Sequence, residues 1–288
     1  MKKQSSRAKI SSRRKPLQKK KSVFKASFYY YTSILLFLAF LLGLAYHYRE
    51  GLAYYFSFKT NKTLKEIAEE KRISDIRNFQ VLSKNANTTA GIDVSEYQSK
   101  IDWSLIENVE QDFPIQFVLI RATAGCDRED SRFKENWESA KNYNFVCGAY
   151  HYYRPNENSL KQAALFMKTV SLKKGDLPPV LDIEHLPKNQ PLDSLKVGLK
   201  RWLTTIEKHY GVKPIIYTGE KYASDFLHQE FSEYSFWIAN YNVFVEKIKP
   251  DWLFWQFTEK ATLTGIKGNV DLNIFNGNYS DLEKLTIQ

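Results

Sequence analysis

A chain of 288 residues, 43% hydrophobic and 26% charged, can bury a core without disulfides or a structural metal; this composition excludes a wholly disordered chain, a collagen and a multi-span transporter. The net charge of +10 is local: residues 1–21 hold ten Lys or Arg and no acid, and without those ten the 42 bases fall to 32, equal to the acids. The rest of the chain is formally neutral, so the charge gives no support for a nucleic-acid partner.

After the basic tail, Ala26 to Tyr46 reads ASFYYYTSILLFLAFLLGLAY, 21 residues with no formal charge between Lys25 and Arg49. A helix of that length rises roughly 30 Å, enough to cross a bilayer. Tyr29, Tyr30 and Tyr31 at one end, with Tyr46 and Tyr48 at the other, match interfacial aromatic belts. The sequence therefore predicts a signal anchor over 26–48, with residues 1–25 cytoplasmic and everything after about Arg49 exported. The alternative is a cleaved signal peptide, with Gly43 and Ala45 at the processing site. In the 49–89 segment, residues 61–85 carry Leu64, Ile67, Ala68, Ile73, Ile76 and Phe79 at mostly three- and four-residue steps. That spacing predicts an amphipathic stalk helix lying on the domain or on the membrane. The polar run NANTTA (85–90) ends it and marks the start of an exported domain over 90–288.

Eight β-type runs follow: 91–97, 115–123, 145–153, 178–184, 214–219, 236–241, 253–258 and 270–275. Amphipathic helices fill the gaps before the third, fourth and fifth runs, and the later gaps are short. This alternation predicts an α/β fold with a parallel sheet: a modified TIM-like (β/α) barrel of eight strands with an incomplete helical ring, or an open doubly wound sheet with similar local patterns. Cys126 and Cys147 fall at opposite ends of neighbouring strands, too far apart for a disulfide, which predicts two free thiols.

In such barrels the chemistry sits where strands end at the C-terminal mouth. The fourth run, PPVLDIE, ends with Asp182 and Glu184, two residues apart and so on one face, while Leu181 and Ile183 point to the opposite layer. Asp93 in GIDVS and Asp271 in NVDLN also interrupt apolar strands. Four carboxyls converging on one mouth desolvate and repel one another, which keeps an acid protonated near neutral pH. Paired carboxyls with one held neutral are the equipment of glycoside hydrolysis.

The motifs GIDVSEYQSKIDW (91–103), FVLIRATAG (117–125), GAYHYYRP (148–155), PPVLDIE (178–184), PIIYT (214–218), FWIANY (236–241), FWQFT (254–258) and GIKGNVDLNIFNG (265–277) resemble, in order, those of the family 25 glycoside hydrolases, the Chalaropsis-type lysozymes. The resemblance spans Gly91 to Asn276. It implies cleavage of the β-1,4 bond between N-acetylmuramic acid and N-acetylglucosamine in peptidoglycan glycan strands, with Glu184 as general acid/base, Asp182 as its partner and Asp93 and Asp271 as flanking acids. Asp182 would stabilise positive charge, act as nucleophile or orient the substrate's acetamido group. The chain departs from the family pattern at Glu96, where the family often has His, and at Ala124, where it often has Glu. Tyr150, Tyr152, Tyr217, Trp237, Tyr241 and Trp255 are candidates either for sugar stacking or for barrel core, and Gln256 for a hydrogen bond to a hydroxyl or acetamido group. His151 reads as a packed strand residue. No cofactor and no metal motif is implied, and the oligomeric state is open. Competing functions are a catalytically weak wall-binding barrel and a hydrolase of a related N-acetylated polymer such as chitin.

Overall fold

The structure, a computed structural model, describes residues 23–49, 64–110 and 112–288; the basic tail and residues 50–63 of the stalk segment lie outside the described residues. The chain divides into two compact units, Met1–Arg49 and Glu50–Gln288. In the first, helix α1 (Val23–His47) contains 19 residues, Tyr29–His47, long and apolar enough to cross a membrane, with a mean hydropathy of 1.6.

The second unit is a closed barrel of eight strands: β1 (Thr89–Val94), β2 (Phe113–Ala124), β3 (Val146–Tyr152), β4 (Val180–Asp182), β5 (Ile215–Gly219), β6 (Phe236–Ala239), β7 (Phe254–Ala261) and β8 (Val270–Phe275). Strands β1 through β7 are parallel neighbours in chain order, and β1 pairs with β8 to close the ring. The closed ring excludes the open doubly wound sheet. The expected all-parallel sheet needs one correction: β8 runs antiparallel to both β7 and β1. Its cause is the short β7–β8 connection, residues 262–269, since a parallel return needs a crossover of about a dozen residues or more.

Alternation along each strand sorts side chains into two layers. Phe117, Leu119, Val180, Ile215, Phe254 and Phe275 fill the barrel interior as one buried cluster, and Leu177 and Leu282 join it. Gly91 belongs to this layer because a Cβ there would stand 2.5 Å from the Phe117 ring. Leu181, Ile183, Ile216, Ile238 and Trp255 face outward into a larger core under the helices. Those helices are α3 (Phe133–Asn142), α4 (Ser159–Thr169) and α5 (Leu192–Tyr210). The apolar stripe of α5, Leu195, Leu199, Trp202, Leu203 and Ile206, is wholly buried, and Gly211 ends the helix in the left-handed conformation at φ 73°. After β5 there is a short helical stretch over 220–227, and β6, β7 and β8 are joined without further helices, so the helical ring is incomplete as expected. His151 lies in the outer layer, stacked on Trp202 at 5.5 Å and bonded to Thr123 and Gln162. Burial pushes its imidazole down to about 4, so it is a neutral core residue. Both cysteines are free thiols.

Helix α2 (Leu64–Lys84) lies on the barrel rather than standing apart from it. Val81 and Leu82 enter the outer core. Ser74 donates to the Lys260 carbonyl, Arg77 to the carbonyls of Asn242 and Val245, and Lys84 pairs with Glu246. Phe79, read as part of the buried face, is instead largely exposed and meets Phe113 edge-on at 5.7 Å. Leu82 is 3% exposed, so Leu82→Ala is expected to lower barrel stability by about 2–5 kcal/mol, measurable as a drop in the near-ultraviolet circular dichroism melt.

Candidate active site

A cavity of about 380 Å³ opens at the C-terminal mouth of the parallel strands, and Asp93, Asp182, Glu184 and Asp271 all line it. The structure thus brings together the four acids predicted from the sequence. Asp182 ends β4, and its backbone is clamped on both sides: its carbonyl accepts from Tyr153 N at 2.8 Å, and the next amide, of Ile183, donates to the Tyr217 carbonyl at 3.0 Å. The side chain is 4% exposed, and Oδ1 has no protein hydrogen-bond partner. Desolvation, with Glu184 and Asp93 adding like charge, drives its carboxyl well above the usual range. Strand β4 is only three residues long, so Glu184 stands beyond it, solvent-accessible at the rim rather than on the strand. Desolvation raises its carboxyl; His185 offsets part of that rise, and Glu259 adds a smaller upward push.

Asp93 and Asp271 oppose each other directly across the antiparallel β1–β8 pair. Two like charges in that position are unfavourable, so the pair retains a proton. Hydrogen bonding decides which member holds it. Oδ2 of Asp93 accepts from Gln256 Nε2 at 2.7 Å and from Asn273 Nδ2 at 2.8 Å, while Asp271 receives the longer 3.2 Å bond from Gln256. Asp93 is therefore the better-supported anion. Asp271 is raised further, by desolvation first and then by Asp93.

Gln256 is committed to protein partners throughout. Its Oε1 accepts from Tyr217 Oη at 2.7 Å and also from Tyr241 Oη, so all its polar groups act within the wall. Trp237, 1% exposed, packs on Tyr217 at 4.3 Å and donates Nε1 to Asn273 Oδ1 at 2.8 Å, which places it behind Asp93. Tyr150 and Tyr152 line the cavity; Tyr217, Trp237, Tyr241 and Gln256 lie outside its lining. Removing the Gln256 donors by Gln256→Leu is expected to raise the Asp93 pKa and move the acid limb of the kcat/KM profile up by about one pH unit, the worth of one hydrogen bond to a charged group. A pH profile that keeps its acid limb in place contradicts this role.

A model of "Glycosyl hydrolases family 25" matches residues 92–266. The chain belongs to that family. Lysozyme M1 of Streptomyces globisporus is 31% identical over 207 residues, covering 67% of this chain and 69% of that protein. The uncharacterized protein YegX of Escherichia coli K12 is 36% identical over 214 residues, covering 72% and 77%. The solved structures of a family 25 glycosyl hydrolase from Bacillus anthracis and of the bacterial lysozyme from Streptomyces coelicolor each superpose with a TM-score of 0.61 at 29% identity. They cover 69% of this chain and 94% and 96% of their own.

The cavity also holds residues that the sequence reading did not single out. Arg121, Arg128 and Arg154 line it together with Ser95, Tyr97 and Gln98. Arg121 shares the inner face of β2 with Phe117 and Leu119, and Arg154 continues the 150–152 alternation past the end of β3; a basic residue at such a step is the signal available in the sequence. Glu96, one of the two departures from the family pattern, is held by Arg121 Nη2 at 2.9 Å, by Arg128 and by the Ser131 hydroxyl at 2.8 Å. The Ser131 bond, with both arginines adding, keeps its carboxyl below the ordinary range. Asp130 Oδ2 takes the Arg121 Nε at 2.9 Å, and the Arg121 guanidinium sits 4.6 Å from the Tyr97 ring centre.

Proposed function

We propose that this family 25 hydrolase is a membrane-tethered muramidase that cleaves the β-1,4 bond between N-acetylmuramic acid and N-acetylglucosamine in peptidoglycan. The observation that carries the reading is one accessible carboxyl of raised pKa, Glu184, beside a buried carboxyl, Asp182, in a cavity whose remaining acids are already bonded to the wall. Glu184 protonates the glycosidic oxygen as the bond to the anomeric carbon breaks and the sugar gains oxocarbenium character. Asp182 lines the cavity at the end of β4, where its carboxyl is suited to accept the N–H of the substrate's own 2-acetamido group. Held in that way, the acetamido oxygen closes on the anomeric carbon as the leaving sugar departs, and the developing positive charge favours the ionised form of Asp182; water then attacks the same carbon and reopens that ring, and Glu184, now ionised, takes the water's proton. Asp93 and Asp271 set the local charge without touching the scissile bond. The reading is tested by incubating the full chain, in detergent, with purified peptidoglycan and measuring new reducing ends; their absence would refute it.

The apolar helix α1, with exposed side chains such as Leu36 and Leu42 along its length, supports an anchor that leaves the hydrolase on the exported side. Full-length protein is expected to stay in the membrane pellet after alkaline carbonate washing. Release of a chain cut near Ala45 contradicts the anchor.

A further inference from the structure

The strand register that delivers Asp182 to the mouth continues away from the acids. Asp182 is aligned with Tyr152, Tyr152 with Ala124, and Ala124 with Arg128, the last on a short strand, Arg128–Glu129, that folds back on β2. All four residues line the same cavity. At about 4.8 Å per strand step the row is roughly 14 Å long, room for more than one pyranose ring. Its two ends differ in charge. The Asp182 end carries the four carboxyls, and the Arg128 end carries guanidinium groups with a side chain of one carbon, Ala124, between Arg128 and Tyr152.

The acids around that basic end are already engaged. Glu96 is shared by Arg121, Arg128 and Ser131; Asp130 takes Arg121 Nε; Asp127 and Glu157 take Nη1 of Arg154 at 2.9 and 3.1 Å. Arg128 spends Nη2 on Glu96, and its side chain is still 49% exposed. It lines the cavity, with its guanidinium held at one corner by Glu96. A guanidinium held in this way is suited to a carboxylate. The sugar whose 2-acetamido group meets Asp182 carries its own 3-ether group on the neighbouring carbon, at the acidic end; the ether carboxylate of the next muramic-acid-type residue, two sugars along the strand, is the one that the Arg128 end receives, which gives the bound glycan a direction.

We infer that the Ala124–Arg128 end of the cavity is a subsite for the acidic ether substituent of a muramic-acid-type sugar, with Arg128 selecting the free carboxylate. The inference rests on the muramidase reading above and gives it a substrate class: N-acetylated glycan whose lactyl groups are free acids. Such strands are products of a hydrolysis that removes peptide from the lactyl group, so a reaction of that class supplies this substrate. Neutral chitin-type chains lack the group that Arg128 receives.

The test uses the full chain in detergent and two oligomers of alternating N-acetylglucosamine and N-acetylmuramic acid, one with free lactyl carboxylates and one with lactyl primary amides. The kcat/KM ratio of acid to amide is expected to exceed about tenfold, the worth of one charge-assisted hydrogen bond. Arg128→Ala should bring the ratio close to one through KM on the acid, Arg128→Lys should retain part of it, and Ala124→Glu should abolish it by filling and charging the subsite. A wild-type ratio near or below one overturns the inference, as does Arg128→Ala lowering both substrates by the same factor. If the wild type cleaves neither oligomer, the muramidase reading fails separately, and calorimetry with the same oligomers decides the subsite. Tighter binding of the acid form by wild type and not by Arg128→Ala upholds it; equal binding, or none, overturns it.

Discussion

Glu184→Gln is expected to lower kcat by about a hundredfold to ten-thousandfold, the usual contribution of a positioned general acid, with no loss of thermal stability. The amide keeps the shape of the side chain but has no proton acidic enough to give the leaving oxygen. Stability should hold because Glu184 is solvent-exposed beyond the end of β4, where substitutions away from packed contacts change little. The effect should fall on kcat more than on KM, since the proton moves in the transition state rather than on binding. Steady-state rates on a defined oligomer, run beside a circular dichroism melt, check both halves. Activity within a few-fold of wild type would place the acid elsewhere in the cavity.

Asp182→Asn should abolish turnover and at the same time stabilise the barrel. Asp182 is 4% exposed, with one oxygen unpartnered, and it stands beside two other carboxyls, so its ionised form is held at a cost in the folded state. Because the folded pKa lies above the unfolded one, the folded state binds the extra proton; its stability is greatest below the unfolded pKa and declines as pH rises toward the folded pKa. The neutral amide avoids that decline. A gain of about 1–3 kcal/mol is expected at pH 7, shrinking toward zero near pH 3, where wild-type Asp182 is protonated in both states. Urea unfolding at the two pH values measures this. A destabilised Asn variant at pH 7 would mean that the carboxylate is satisfied in the fold. Loss of function joined to gain of stability is the signature of an acid kept for chemistry rather than for folding.

Much of this site was legible because strand alternation and fold class act together. Asp93, Asp182 and Asp271 interrupt apolar runs, and an acid on the inner face of a barrel strand has nowhere to go but the mouth or a costly interior. Glu184 reads as a candidate for the same reason, although it lies past the strand end rather than on it, a distinction that depends on where the β4–β5 hydrogen bonds stop. The polarity of β8 was missed because strand composition carries no direction; the short 262–269 connection did. Gln256 reads as a sugar ligand in sequence, since nothing local shows that two tyrosines and two aspartates from other strands saturate it. The Arg128 row was hidden for a related reason: a two-residue strand folding back on β2 is too short to leave a periodic pattern, and only the register places Arg128 beside Ala124 and Tyr152.

The most direct measurement of the central claim is the identity of the sugar that carries the new reducing end after digestion of purified peptidoglycan by the full chain. Borohydride reduction followed by mass spectrometry of the products distinguishes the two possible ends. Reduced N-acetylmuramic acid from the wild type, and none above background from Glu184→Gln, is the predicted result. Reduced N-acetylglucosamine, or equal product from both proteins, would contradict a muramidase built on Glu184 and Asp182.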